Sequence, residues 1–378
     1  MKDIHQILKT RPTYVEVDFD ALRHNFNQIK DHVGDKKILC IVKGNGYGHG
    51  AVEVSRVYEK LGANYLGVAI AEEGVELREA GIKIPILVMG GLALNQIDLC
   101  IQRGLTITAP SDEKLLYINK TAGEMKKIAK VHLKVDTGMG RIGVNFARVN
   151  KFYKIMKECE NCEFEGIYSH FAASDTDGDF TKTQIERFEN VISKFEEEGF
   201  SFKIKHLANS AGLLNYPESR FDMVRPGIIL YGLHEGFTIP EEIDLKPVMS
   251  WKTQVVYFKF LEKNTPISYG LLYKNSEDTH IVTIPVGYAD GYQRSLSNGG
   301  HVTINDKKYP VVGRICMDQI MIDIGIDGEA YKGDEVILVG SSESQNITFY
   351  DLSRWGNTSV HELLAQISYR VPRIYLDS

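Results

Sequence analysis

The stretch Ile38-Leu-Cys-Ile-Val-Lys43-Gly-Asn-Gly-Tyr-Gly-His-Gly50 decides the architecture. A short apolar run stops at a lysine and a glycine-rich turn, and an amphipathic segment follows over Gly50–Leu61. The same unit then repeats. Predicted strands lie at Ile38–Lys43, Tyr65–Ile70, Ile84–Met89, Leu105–Ala109, Lys130–Asp136, Phe164–His170, Lys203–Leu207 and Asp222–Arg225. Helical periodicity fills the intervals at Glu72–Ala80, Asn95–Arg103, Asp112–Gly123, Val149–Cys159 and Thr183–Glu198. Eight strands alternating with helical segments such as these predict a (β/α)8 barrel of the TIM type. An open doubly wound sheet stays as the alternative, because periodicity does not show closure.

After about Ile243 the runs become short, strand-like and turn-separated: Ser250–Lys259, His280–Val286, His301–Ile304, Tyr309–Val312, Ile320–Ile324 and Glu335–Val339. Two domains are expected, a barrel over 1–243 and a mostly antiparallel β domain over 244–378. A length of 378 residues agrees with two cores. A net charge of -6, with acidic and basic residues interspersed, argues against nucleic acid or an anionic membrane as partner. No apolar run is long enough for a signal peptide or a span, which predicts a cytoplasmic protein. Cys159 and Cys162 form a lone C-x-x-C with no second pair or nearby histidine to complete a zinc site.

Active sites of such barrels lie at the C-terminal strand ends. There the sequence places Lys43, Arg141, His170, Asn209, Ser210 and Arg225. Cationic groups without a carboxylate cluster point to an anionic ligand and to no metal. Desolvation at the end of an apolar strand lowers a lysine amine's pKa and favours imine chemistry, although position alone favours a snorkelling side chain. The spacing G-N-G-Y-G-H-G fits neither a dinucleotide loop nor a Walker loop. Ser210 with the backbone N–H groups of Gly227 and Ile228 is a candidate phosphate cradle, and a capped helix start followed by a rigid Pro-Gly turn is the structural alternative.

Val42-Lys-Gly-Asn-Gly-Tyr-Gly-His-Gly50 resembles the cofactor-lysine motif of the alanine racemases. Further resemblances follow in family order: Leu133-Lys-Val-Asp-Thr-Gly-Met-Gly-Arg-Ile-Gly143, Ser169-His-Phe171, His206–Ala211, Ile267-Ser-Tyr-Gly270, Gly287-Tyr-Ala-Asp-Gly291, Gly313-Arg-Ile-Cys-Met-Asp-Gln319 and Ile367-Ser-Tyr-Arg-Val-Pro-Arg373. The likeness implies a pyridoxal 5'-phosphate enzyme with Lys43 holding the cofactor. It implies that Tyr47, Ser210, Gly227, Ile228 and Tyr369 bind the phosphate, with Asn209 beside them, and that Arg225 faces the pyridine nitrogen. An arginine donates a hydrogen bond there but cannot stabilise a protonated ring as a carboxylate does, so transamination is disfavoured.

Inversion needs acid/base groups on both faces of the reacting carbon. The resemblance assigns one face to Lys43 and the other to Tyr269 of the neighbouring subunit, with His170 beside Tyr269 and Arg225 beside His170. It makes Arg141 and the Met317 N–H the substrate-carboxylate site, and brings Tyr288 and Asp318 in from the second subunit. Lys134 aligns with a lysine that family members carry as a carbamate. A head-to-tail homodimer follows, with D-alanine supply as its role. The family carries alanines where Gly44 and Gly46 stand, which predicts a looser loop at about 1 kcal/mol of backbone entropy per site. A racemase for serine or another small amino acid, and a non-catalytic pyridoxal-phosphate carrier, are the competing readings.

Overall fold

The computed structural model describes residues 11–377; the expectation of no leader rests partly on residues 1–10, which lie outside them. The described chain divides into two compact units. One comprises residues 21–46 and 50–246, the other residues 11–20, 47–49 and 247–377.

The chain opens with β1 (Tyr14–Asp18) and α1 (Phe19–Val33). The first unit then follows as β2 (Lys37–Ile41), α2 (Ala51–Lys60), β3 (Tyr65–Val68), α3 (Ala71–Glu79), β4 (Ile86–Val88) and α4 (Ile97–Gln102). It continues through β5 (Thr106–Ala109), α5 (Asp112–Glu124), β6 (Ala129–Asp136), α6 (Asn150–Glu158), β7 (Cys162–Tyr168) and α7 (Gly178–Glu197). It ends with β8 (Ile204–His206), α8 (Ser210–Asn215) and β9 (Met223–Val224). Neighbouring strands pair in parallel from β2 to β8.

Closure comes from β9. It pairs with β2, Met223 opposite Lys37 and Val224 opposite Ile38. On its other side Asp222 N donates to Lys205 O and Arg225 N to Ala208 O, each at 3.0 Å. The sheet is a barrel, and the open alternative is excluded. Strands β3, β4 and β5 are buried along their whole length, as expected where helices cover the outer face and side chains fill the inner one. Helix α7 starts at Gly178 rather than Thr183, because the Asp177 carboxylate caps it by accepting from Phe180 N at 2.9 Å.

The second unit carries β10 (Met249–Gln254), β11 (Tyr257–Leu261), β12 (Thr279–Ile284), β13 (His301–Ile304), β14 (Lys307–Val312), β15 (Ile320–Gly325) and β16 (Glu335–Ser341). Two short helices, α9 (Phe349–Gly356) and α10 (Val360–Gln366), precede β17 (Arg373–Leu376). The sheet runs β11-β12-β15-β14-β13-β16-β10-β1-β17. Its pairs are antiparallel except β1 with β17. Trp251 anchors its core, fully buried and edge-on to Tyr292 at 5.8 Å between centroids. Among the described residues no helix is long and apolar enough to cross a membrane.

Candidate active site

Lys43 stands just beyond β2, at the C-terminal mouth of the barrel. The next four residues have φ of 62°, 55°, 61° and 51°, a left-handed turn through Gly44, Asn45, Gly46 and Tyr47. That region strains an L-residue by roughly 1–2 kcal/mol, and glycine escapes the strain. The turn is tied shut: Gly46 N donates to Val42 O at 2.8 Å, Gly50 N to Asn45 O at 2.8 Å and Ala51 N to Asn45 Oδ1 at 2.9 Å. Glu73, in the first turn of α3, accepts from Gly44 N at 2.6 Å and Ala69 N at 2.7 Å. The expectation of a looser loop gives way. The two glycines spare a closed turn the strain at positions 44 and 46, and Asn45 and Tyr47 still bear it.

A Cβ at Gly44 would meet nothing within 4 Å, whereas one at Gly46 would lie 3.0 Å from Val54 Cγ2 and 3.3 Å from the Ala51 backbone. Gly44→Ala is expected to destabilise the protein by about 1 kcal/mol. Gly46→Ala should lose more, because it adds a clash to the strain. Urea unfolding measures both, and an unchanged midpoint for Gly46→Ala would contradict the account.

Positive charge gathers around Lys43. Its side chain is exposed at the rim, so only partial desolvation acts on it; that burial, and next the charge of Arg141, pull its amine below the usual lysine range, against a smaller pull from Glu73. Lys134, on β6, is 4% exposed, with Nζ 4.5 Å above the Tyr168 ring. Burial first, then Arg225 and Arg141, hold its amine well below the ordinary value. No carboxylate lies within ion-pairing distance of it among the described residues, and the nearby Asp136 instead accepts from Gly138 N and Gly140 N. Arg141 is exposed.

Arg225 is 2% exposed, and burial pushes it down to about 10, still protonated at neutral pH. Its Nη1 donates to His206 Nδ1 at 3.1 Å, and its Nη2 to Leu207 O at 2.8 Å, Ser169 O at 2.9 Å and His170 Nδ1 at 3.2 Å. Its Nε is buried without a partner among the described residues.

His132, His170 and His206 are all held below the ordinary imidazole range, by burial first and by the charge of Arg225 as well. Folded, they stay neutral; unfolded, they titrate near ~6.5. The unfolded chain therefore takes up more protons as pH falls through that value, so stability is complete above it and is lost on acidification. The slope approaches about 1.4 kcal/mol per pH unit for each fully buried ring. Melting temperatures should fall steadily from about pH 7.5 to about pH 5.5. A flat profile over that window would overturn the assignment of neutral buried imidazoles.

On the far side of the mouth, Ser210 Oγ accepts from Gly227 N at 2.9 Å, which brings two of the three phosphate-cradle candidates together; Ile228 opens the next short turn. Asn209 caps α8 through Oδ1, which accepts from Gly212 N at 2.8 Å and from Ser174 Oγ at 3.0 Å. The helix-cap reading of Asn209 thus holds alongside whatever its amide nitrogen contacts.

In the second unit, the Tyr47 ring lies 6.0 Å from that of His361. The other candidates there are solvent-facing: Tyr269 is 69% exposed, Tyr369 93%, and Tyr288 and Met317 are also exposed. Backbone bonds join their segments, Tyr288 N to Cys316 O and Ala289 N to Met317 O, each at 3.1 Å. Ser268 Oγ donates to Arg314 O at 2.5 Å, and Arg370 Nη2 bonds Asp318 Oδ1 at 2.6 Å. Ser268 itself has φ 68° and ψ -178°, a strained conformation immediately before Tyr269. One loop cluster thus presents five candidate residues outward. Glu73 and Arg370 are site-supporting residues to which the sequence reading gave no role; Glu73, acidic in a helix's first turn, carried a signal, as did Arg370 by its place in the motif Ile367–Arg373.

A closed barrel gathers ligand-binding groups at its C-terminal strand ends, and here that mouth is cation-rich. Residues 17–235 match the family model described as alanine racemase, N-terminal domain, and residues 248–375 the one described as alanine racemase, C-terminal domain. The alanine racemase of Halothermothrix orenii is 43% identical, covering 97% of this chain and 97% of its own length. The solved alanine racemase of Clostridium difficile 630 superposes with a TM-score of 0.91 at 38% identity, over 97% of this chain and 96% of that one. A histidine racemase from Leuconostoc mesenteroides subsp. sake superposes with a TM-score of 0.89 at 29% identity, over 97% and 98%. The chain belongs to the alanine racemase family of isomerases.

Proposed function

We propose that this racemase interconverts L- and D-alanine with two bases, using pyridoxal 5'-phosphate held on Lys43, as a cytoplasmic homodimer with shared active sites. The barrel, read as residues 1–243, holds the cofactor, and residues 244–378 complete the partner's site. The observation that carries this is Arg225. Every nitrogen of its guanidinium is committed except the buried Nε, and an N–H in that state suits an acceptor lone pair such as that of a pyridine nitrogen. Ser210, Gly227 and Ile228, with Asn209, Tyr47 and Tyr369, hold the phosphate in this reading. When bound, the cofactor withdraws electrons from the substrate's Cα and makes its hydrogen removable.

Lys43 serves as acid/base on one face of that carbon and Tyr269 of the partner subunit on the other. Because Arg225 Nη2 can only donate, His170 Nδ1 must accept, so the neutral ring keeps its proton on Nε2. That N–H is available to the phenol oxygen of Tyr269. Arg141, with the Met317 N–H, receives the substrate carboxylate, and Tyr288 and Asp318 border it.

The neutral Lys134 amine is the form that adds carbon dioxide, releasing a proton and leaving a carbamate to orient Arg141. Folded protein in 13C-bicarbonate at neutral pH should show one protein-bound carbamate carbon by 13C NMR, lost in Lys134→Ala; no such signal would remove this part of the proposal.

The function is tested by incubating the purified protein with L-alanine and with L-serine and following the D-enantiomers by chiral chromatography. Tyrosines 269 and 369 favour a methyl or hydroxymethyl side chain, and one group discriminates by about 1–3 kcal/mol, so D-alanine should form about tenfold or more faster than D-serine. Bound pyridoxal phosphate with neither product would establish the carrier reading instead.

A further inference from the structure

Beneath Arg225 a file of polar side chains runs down the interior of the barrel. His206 Nδ1 accepts from Arg225, and His206 Nε2 lies 2.9 Å from His132 Nδ1. His132 Nε2 faces Glu165 Oε2 at 3.6 Å, longer than a hydrogen bond, and has no partner among the described residues within hydrogen-bond range. Tyr65, at the start of β3, donates its hydroxyl to Glu165, and Lys130 Nζ lies 3.7 Å from the same carboxylate. Both imidazoles are fully buried.

The two ends fix the direction. A guanidinium can only donate and a carboxylate can only accept. His206 must therefore accept at Nδ1 and donate from Nε2, and neutral His132, accepting at Nδ1, carries its proton on Nε2, the atom that faces the Glu165 carboxylate. Two features of the backbone serve this arrangement. The pairing of β6 with β7 slips between Val131 and His132, opposite Phe164 and Gly166, so Glu165 is the bulged residue left without a partner. A bulge re-aims a side chain, here the carboxylate that ends the file. Gly166, next to it, has no room for a side chain: a Cβ there would lie 2.7 Å from His132 Nδ1.

We propose that His206, His132 and Glu165 are positioning residues for racemisation: hydrogen-bonded in one direction from Arg225 through His206 to His132, and closed by the charge of Glu165 facing His132 Nε2, they hold Arg225 so that its Nε–H is presented to the ligand in the barrel mouth. The carboxylate keeps His132 in its Nε2–H form, and the two rings carry that orientation to the arginine. Without Glu165 the imidazoles are free to reverse, and a reversed His206 would turn an N–H against the Arg225 N–H. The role toward the cofactor rests on the function proposed above. The direction of the file does not.

Direction is read first, by 15N NMR of histidine-labelled, full-length wild-type protein, with and without pyridoxal phosphate. Both His132 and His206 should be neutral Nε2–H tautomers in either state. An Nδ1–H tautomer or an imidazolium at either position overturns the proposal. Then holoenzyme carrying Glu165→Gln or Glu165→Asp is compared with wild type. If Arg225 is displaced from the pyridine nitrogen, the ratio of alanine transamination to racemisation should rise about tenfold in Glu165→Gln, the effect of weakening one charged hydrogen bond. Glu165→Asp should restore the wild-type ratio. A loss of both rates with an unchanged ratio would mean that Glu165 only supports the fold, and would overturn the positioning role. Correct tautomers in a protein that neither binds the cofactor nor racemises would instead refute the function and leave the file standing.

Discussion

Lys43→Ala should lower the rate of alanine racemisation on the order of 10⁴-fold or more, since on the proposed function it removes a positioned acid/base together with the covalent hold on the cofactor. On the proposed function the loss should fall on kcat, because the Ser210–Gly227 bond assigned to the phosphate cradle and the Arg141 assigned to the substrate carboxylate are both kept. The turn after Lys43 is built from its own backbone bonds and from Glu73, so the variant should fold. Free methylamine, a small primary amine that fits the space left by the side chain, should restore part of the rate. Steady-state kinetics with and without the amine checks this. A variant that keeps racemisation within tenfold of wild type would remove Lys43 from the chemistry.

The second large effect is expected at Tyr269. Tyr269→Phe keeps the ring and the exposed loop but deletes the hydroxyl, and should slow racemisation about 10²–10⁴-fold, the usual contribution of one general acid/base. The two-base arrangement adds a sharper signature. With only Lys43 left, one enantiomer should still exchange its α-hydrogen with deuterated water while the other does not, because exchange on a single face returns the starting configuration.

The pair of variants also tests the shared site. In a mixed dimer of Lys43→Ala and Tyr269→Phe chains, one site lacks both groups and the other has both intact. Refolding an equal mixture should therefore recover about a quarter of wild-type activity, from half the dimers with half their sites working. No recovery would place both residues of one site on a single chain.

Much of the barrel is legible in the sequence because its strands are buried on both faces and read as apolar runs between amphipathic helices. Closure is not legible. It depends on backbone bonds from Asp222 and Arg225 to Lys205 and Ala208, and no periodicity encodes them. Strand-end position singled out Lys43, His170 and Arg225, and the structure joins the last two directly. The turn after Lys43 was harder, since a run of glycines signals freedom of φ without saying that the hydrogen bonds of Asn45 and Glu73 will close it. Helices α9 and α10, of 8 and 7 residues, run for only about two turns each, too short for their periodicity to stand out among the neighbouring strands. The histidine file is invisible to local reading, because His132 and His206 meet across 74 positions of chain and Glu165 is aimed by a bulge.

The most direct measurement is reduction of the purified, pyridoxal-phosphate-loaded protein with borohydride, followed by digestion and peptide mass spectrometry. The account predicts a single pyridoxyl group on the Lys43 side chain. A label on another lysine, or none, would contradict it.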